Sequence, residues 1–277
     1  MLHFVFTVDG DWEEYYNPKL SEEERAPKPK KLLGFIDKEI SVALKFLGGK
    51  FVHFVHTSPR ARDTFLKPEF ISRYREIEEF GGNIGVHCHE DDPHKAYYFA
   101  DTVKMEKAIS SFTEGLKKEG ITPLAYRGGY MAFDPGIIPI LEANDIFLDF
   151  SCMPGRYLLH EEDILVSDWR GAPWNFYRMD YEDHRKIGKS KVFEIPVGEI
   201  FDRYLYIELS SIFAMRDVAK ILKERAKEKD FVVSVLTHSF EFGNPLTLLK
   251  IKLALLILKR YGRFISAKQA LEIVRKS

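Results

Sequence analysis

An α/β architecture is expected for this chain: a distorted, single-domain (β/α) barrel of about seven units on a parallel sheet. Three features lead there. Short β-branched and aromatic runs alternate with longer segments of helical period. Such alternation implies parallel strands joined by right-handed crossovers. Polar, chemically capable residues stand at the C-terminal ends of separate strands, the end where a barrel gathers its active site. A single domain is expected over residues 1–277, with no internal repeat and no low-complexity linker.

The elements follow in order. HFVFTV, at 3–8, is a buried strand that delivers Asp9 and Asp11. Residues 15–31 carry three prolines and mixed charge and are expected as a loop. A helical period runs through Leu32, Leu33, Ile36, Ile40, Leu44 and Leu47 and is closed by Gly48 and Gly49. FVHFVH at 51–56 is the next strand, followed by a helix over 68–82 with proline at its start and glycines at its end. A short strand at 83–87 ends in histidines. Helix 102–118, strand 123–127, helix 135–143 and strand 146–150 continue the alternation. Strand 192–196 and helix 210–229 precede strand 231–237, which delivers His238; an apolar helix at 246–258 and a helix at 267–276 close the chain.

Composition excludes several classes. Lys plus Arg (41) nearly balances Asp plus Glu (42), so no whole-chain field draws in nucleic acid or anionic lipid. The apolar stretch Leu246 to Leu258 is short and interrupted by Lys250 and Lys252, which argues against a membrane span. The first strand begins too early to leave room for a signal peptide, and Cys88 and Cys152 are too few for a disulfide framework, so a cytoplasmic protein is expected. One glutamine, five asparagines and 30% charged residues give a thermophilic composition.

Asp9-Gly10-Asp11 is either a simple turn or a base and a metal ligand on one loop; two close carboxylates need a cation or an arginine beside them. The segment His87 to His94 packs three histidines and three acids into eight residues, a donor set suited to zinc, and also to iron, cobalt or nickel. His53 and His56 are expected as packing or supporting residues rather than ligands. Arg127 ends an apolar strand, where its guanidinium fork would hold a carboxylate ionised and fixed. His238, at a strand end, is either structural or, if a metal site shares its mouth, a natural general acid. Asp149, Ser151 and Asp168 are weaker candidates. Tyr130, Trp169 and Trp174 offer faces for a sugar ring, the tryptophans being plain core otherwise. The chain has no Gly-rich phosphate loop and no serine in a nucleophile-elbow context.

Taken in order, these segments resemble the polysaccharide deacetylase superfamily (NodB homology, carbohydrate esterase family 4). FTVDGDWEE is similar to its aspartate-pair motif and NIGVHCHEDDPH to its histidine motif. AYRGGYMAFDPGIIPILEANDIFLDFS is similar to its arginine strand, FEIPVG to the segment that follows, and LTHSFEF to its Leu-x-His motif. The resemblance runs from about residue 4 to 270 and is closest to the polysaccharide-biosynthesis branch. It implies removal of an acyl group, N-acetyl first, from an amino sugar or polysaccharide precursor, with a divalent transition metal, zinc first, as cofactor. Carried over residue by residue, it implies Asp9 as catalytic base, Arg127 as its positioning partner and His238 as general acid. Asp11 and His87 are implied as metal ligands. The chain departs from the family's His-x-x-x-His spacing, since Asp91 stands where the second histidine belongs. The third ligand is therefore His89, whose His-x-His spacing puts both rings on one face of an extended strand, or else His94 or Asp91. The altered motif leaves room for a non-catalytic carbohydrate-binding member. The fold also leaves room for a C–N hydrolase acting on a non-sugar amide.

Overall fold

The computed structural model describes residues 1–17, 19–58, 61–89, 100–160 and 164–276. Its strands, in chain order, are β1 (Leu2–Asp9), β2 (Val52–His56), β3 (Asn83–Cys88), β4 (Ala125–Gly128) and β5 (Leu148–Asp149). Then come β6 (Tyr157–His160), β7 (Ile164–Asp168), β8 (Tyr177–Arg178) and β9 (Phe193–Glu194). The last are β10 (Glu199–Ile200), β11 (Arg203–Tyr204), β12 (Phe231–His238) and β13 (Arg263–Phe264).

One curled sheet carries the order β12-β1-β2-β3-β4-β5-β9, all parallel, with β8 antiparallel on the outside of β9 and β13 beside the start of β1. Just past β9, Val197 bridges Ser234 of β12, so the seven parallel strands curl back towards their own starting edge. This is the expected (β/α) barrel. The strands alternate between two apolar layers. Val5, Val52, Phe54, Ala125, Leu148, Phe150 and Val232 face inwards and pack with Ala267, Ala270 and Val274 of the C-terminal helix Ala267–Val274. Phe4, Phe6, Val8, Val55, Ile84, Val86 and Tyr126 face outwards against the helices. Lys268 N–H donates to Asn83 Oδ1 at the start of β3, so the terminal helix lies at the N-terminal end of the strands. The opposite, C-terminal end stays free for a site.

Helix ends follow local chemistry. Helix Pro29–Leu47 begins three residues before the apolar period does, because Pro29 fits the first turn, where no N–H is needed; it ends at Gly48 in the left-handed region (φ 61°). The expected loop at 15–31 thus contains structure. A 3-10 turn spans Glu13–Tyr16, and a helical turn Glu22–Arg25 is held by a Ser21/Glu24 capping box. The regular alternation breaks after β5. No helix joins β5 to β9 among the described residues; the chain instead runs through the hairpin β6–β7 and the strand β8. No helix among the described residues is long and apolar enough to cross a membrane.

Candidate metal centre and active site

The ends of four strands, drawn from the run β12-β1-β2-β3-β4, build the site. β1 ends at Asp9, and Gly10 then turns the chain so that Asp11 points back over the barrel mouth. Gly10 N–H donates to Phe54 O at 2.8 Å, and a Cβ at this position would lie 2.6 Å from that oxygen, so the close approach requires glycine. β3 contributes His87 and, just past its end, His89; β4 contributes Arg127; β12 contributes His238. Register explains the convergence: Asp9 lies beside His238, and His87 beside both His56 and Arg127. These groups open on a cavity of about 360 Å³ lined by Asp9, Asp11, His87, His89, His238 and Arg156, among others.

Arg127 is wholly buried and every part of its fork is used. Nη1 donates to Asp9 Oδ1 at 2.6 Å, Nη2 to Thr7 Oγ1 at 3.0 Å and Nε to Phe150 O at 2.9 Å. Its guanidinium also stacks 4.7 Å from the Phe54 ring centre. The Asp9 carboxylate is thereby locked, with Oδ2 turned towards His87 Nε2 at 3.9 Å.

Asp11, His87 and His89 present their donor atoms to one point. The separations are 3.0 Å (His87 Nε2 to His89 Nε2), 3.5 Å (His87 Nε2 to Asp11 Oδ2) and 3.9 Å (His89 Nε2 to Asp11 Oδ2). Ligands about 2.1 Å from a tetrahedral metal stand roughly 3.4 Å apart, so this triangle is the right size for a zinc-like ion. His87 Nδ1–H donates to Arg127 O at 3.0 Å, which fixes the tautomer and leaves the Nε2 lone pair facing inwards. Asp11 Oδ1 is buried with no hydrogen-bond partner, as expected of a carboxylate built to meet a cation. Burial alone would raise the Asp11 carboxyl, yet His87, His89 and His56 together hold it well below the usual range. At His87, Asp9 and Asp11 outweigh burial and raise the imidazole; at His89 burial prevails and lowers it. The residues therefore fit a divalent transition metal.

His56 adds a fourth donor nearby, since Asp11, His56 and His89 also fall within metal-ligand spacing. Its tautomer decides against ligation. Ser58 N–H donates to His56 Nδ1 at 3.2 Å, so the proton of the neutral ring sits on Nε2, which is 3.7 Å from Asp11 Oδ1. Burial pushes His56 down to about 3, keeping the ring neutral. It stacks on His89 with parallel planes 4.6 Å apart at the centroids and lies behind the cavity wall. Tyr16, on the 3-10 turn, donates its hydroxyl to Asp11 Oδ2; burial and the Asp11 charge keep the phenol protonated.

His238 faces the opposite wall. Its Nε2 is 3.8 Å from Asp11 Oδ2 and its Nδ1 is 3.4 Å from Glu208 Oε1. Glu208 also accepts from His238 N–H at 2.8 Å and from Thr237 Oγ1 at 2.7 Å, which fixes its carboxylate beneath the ring. Burial disfavours the imidazolium, but Glu208 first, then Asp9 and Asp11, outweigh it and raise His238 to about 9. Tyr130 lines the cavity with left-handed backbone (φ 55°), and a Cβ at neighbouring Gly129 would overlap the His89 ring.

Several expectations change. Trp169 is fully buried, and its indole N–H donates to Met131 O at 2.7 Å, so no face remains for a sugar. Trp174 is exposed but carries Arg225 at 4.3 Å from its ring centre. Its neighbour Asn175 bonds Asp230 O and Val232 N at the start of β12, the far end of that strand from His238, so Trp174 is also no part of this mouth. Asp149 and Ser151 are buried supports: Ser151 Oγ accepts from Gly128 N–H at 2.9 Å and donates to Asp149 Oδ1 at 2.7 Å. Asp168 is taken up by Arg170 and Arg185. His94 and Asp91 lie outside the described residues. Glu208, Tyr16, Tyr206 and Arg156 belong to the site and were not singled out from the sequence. They sit on irregular segments, where no period distinguishes a site residue from a surface one.

No protein-family model matches the chain, and no curated protein does either. Solved structures do. A structure described as a polysaccharide deacetylase from Mycobacterium smegmatis superposes with a TM-score of 0.63 at 15% identity, covering 99% of this chain and 90% of that one. One similarly described from Pseudomonas aeruginosa PAO1 gives 0.63 at 10% identity, covering 100% and 91%. Puue allantoinase gives 0.63 at 13% identity, again covering 100% and 91%. The chain has the deacetylase (β/α) barrel fold, as its motifs led us to expect.

Proposed function

We propose that this protein is a metal-dependent hydrolase that removes an acyl group, N-acetyl first, from the amine of an amino sugar or polysaccharide precursor. The observation that carries the reading is the triangle Asp11–His87–His89 beside an arginine-locked carboxylate and a glutamate-backed histidine, all in one cavity. Asp11, His87 and His89 would hold the metal, with zinc the first choice. When bound, it supplies Lewis acidity towards the amide carbonyl and makes water easier to deprotonate. Asp9 Oδ2 takes the proton of the attacking water, while Arg127 keeps Oδ1 occupied and the carboxylate ionised. His238, protonated and held by Glu208, gives a proton to the leaving amine. The barrel mouth limits access to one side and orients the amide between these two groups.

Elemental analysis tests the reading. Protein purified without chelator is expected to hold about one transition metal ion per chain, the stoichiometry of a three-ligand catalytic site. Asp11→Ala and His87→Ala are expected to lose it. Wild-type protein that takes up no metal even on reconstitution would overturn the hydrolase reading. A panel of acetylated sugars, formamides and cyclic amides then sorts the substrate.

A pH profile tests the acid. With His238 raised to about 9, the protonated form dominates below that pH, and kcat is expected to fall as pH rises through it. Glu208→Gln removes the main support of the imidazolium, so the alkaline limb moves to lower pH. A limb that stays in place in Glu208→Gln would remove His238 from the role.

A further inference from the structure

Arg156 lines the catalytic cavity with no carboxylate partner among the described residues, whereas Arg127 of the same site is paired with Asp9. It precedes β6, at the base of the β6–β7 hairpin, and lines the same wall as Tyr206 and His238. Its Nε donates to Ser167 Oγ at 3.3 Å and its Nη1 approaches Met153 Sδ at 3.6 Å. No carboxylate of the described residues pairs with it. The contrast within the molecule is sharp. Arg127 pairs with Asp9 at 2.6 Å, while Arg170 and Arg185 share Asp168 at 2.9 and 2.8 Å. A hydroxyl and a thioether leave a partly buried guanidinium short of acceptors, since it carries five N–H donors and no acceptor of its own. Burial accordingly presses Arg156 below its usual range, with Tyr206 and Tyr204 opposing.

The charges of the cavity point the same way. Asp9 is answered by Arg127, and Asp11 by the dication of the hydrolase reading, on which this inference rests. His238 is answered by Glu208. The dication keeps one positive charge in excess over Asp11, and Arg156 adds a second that no carboxylate of the described residues answers. Tyr206 links it to the chemistry: its hydroxyl is 3.4 Å from His238 Nδ1, and its ring shares the cavity with Arg156.

We propose that Arg156 binds an oxyanion carried by the substrate, a carboxylate or a phosphate ester, so that the acylated amine this site takes is an anionic one. The guanidinium fork matches either group with two parallel hydrogen bonds. An anion seated there would supply the acceptors that Ser167 and Met153 do not.

Binding without turnover separates this proposal from the hydrolase reading. Glucose, glucose 1-phosphate and glucuronate hold no amide, and their affinities for metal-loaded wild-type, Arg156→Gln and Arg156→Lys protein are measurable by calorimetry. At least one anionic sugar is expected to bind wild type about 10–100-fold more tightly than glucose, the range of a charge-assisted hydrogen-bonded contact. Arg156→Gln is expected to erase that preference, and Arg156→Lys to keep part of it for phosphate, where a point charge suffices. The tighter of the two anionic arms names the source. Equal binding of charged and neutral sugars by wild type would overturn the proposal. So would an anion preference that survives in Arg156→Gln, since the metal would then be its seat. Among N-acetylated substrates, the ratio of kcat/KM for N-acetylglucosamine 1-phosphate or N-acetylmuramic acid over N-acetylglucosamine should drop in Arg156→Gln. Should no amide be cleaved while the Arg156-dependent anion binding persists, the hydrolase reading falls and the anion seat stands.

Discussion

Asp9→Asn is expected to lower kcat by about 10²–10⁴-fold, the usual contribution of a positioned general base, with metal content unchanged. The geometry separates the two effects. Asp9 gives Oδ1 to Arg127 at 2.6 Å and keeps Oδ2 towards the cavity, 3.9 Å from His87 Nε2. The metal donors come from Asp11, His87 and His89, so they survive the change. Asparagine retains the shape and one acceptor oxygen for Nη1 but has no basicity. Steady-state kinetics beside elemental analysis and a thermal melt would check this. Wild-type turnover in a folded, metal-loaded Asp9→Asn protein would remove Asp9 from the role of base. Parallel loss of metal and activity would instead mean that Asp9 belongs to the ligand set.

Arg127→Met should destabilise the fold by about 3–5 kcal/mol, the cost of leaving one member of a buried ion pair without the other. Asp9 is 3% exposed and Arg127 0% exposed, so solvent meets Asp9 only through the cavity and Arg127 not at all. The substitution also removes the donor to Phe150 O and the donor to Thr7 Oγ1, whose own hydroxyl still donates to Val235 O. Methionine fills much of the volume between Phe54 and Phe150, so the loss measures electrostatics and hydrogen bonding more than a cavity. Urea denaturation of the single variant and of Arg127→Met/Asp9→Asn forms the check. The double variant should recover part of the loss, because its remaining side chain at position 9 carries no buried charge. A single variant as stable as wild type, or a double variant as damaged as the sum of both, would mean that the pair is not coupled as the structure has it.

Much of the strand framework was legible in advance, for a physical reason. A strand buried on both faces must be apolar along its length, so LHFVFTVD and FVVSVLTH announce themselves, and the polar residue that ends each run stands out. Asp9, His87, Arg127 and His238 were found in that way. Helix boundaries written by proline and glycine were equally readable, as at Gly48. Where a segment has no period, the sequence is quiet. The sequence marks no element between Phe150 and Val192; among the described residues this excursion holds a hairpin and a short strand, and it brings Arg156 to the cavity.

By itself, then, the sequence determined the parallel barrel, the end of it that carries the polar groups, and the ordered set of chemically capable residues, because each follows from local apolar runs and what terminates them. Only the tertiary structure decided which of those residues meet. Trp169 and Trp174 look alike as candidates, yet one is sealed in the core and the other lies at the far end of β12. His56 and His87 are both strand-end histidines, yet the Ser58 N–H turns one ring's proton inwards and the Arg127 carbonyl turns the other's lone pair inwards. Glu208 meets His238, and Arg156 shares a cavity with Asp9 and His238, only once the chain is folded. Burial, tautomer and charge pairing are properties of neighbours in space, and no single segment encodes them.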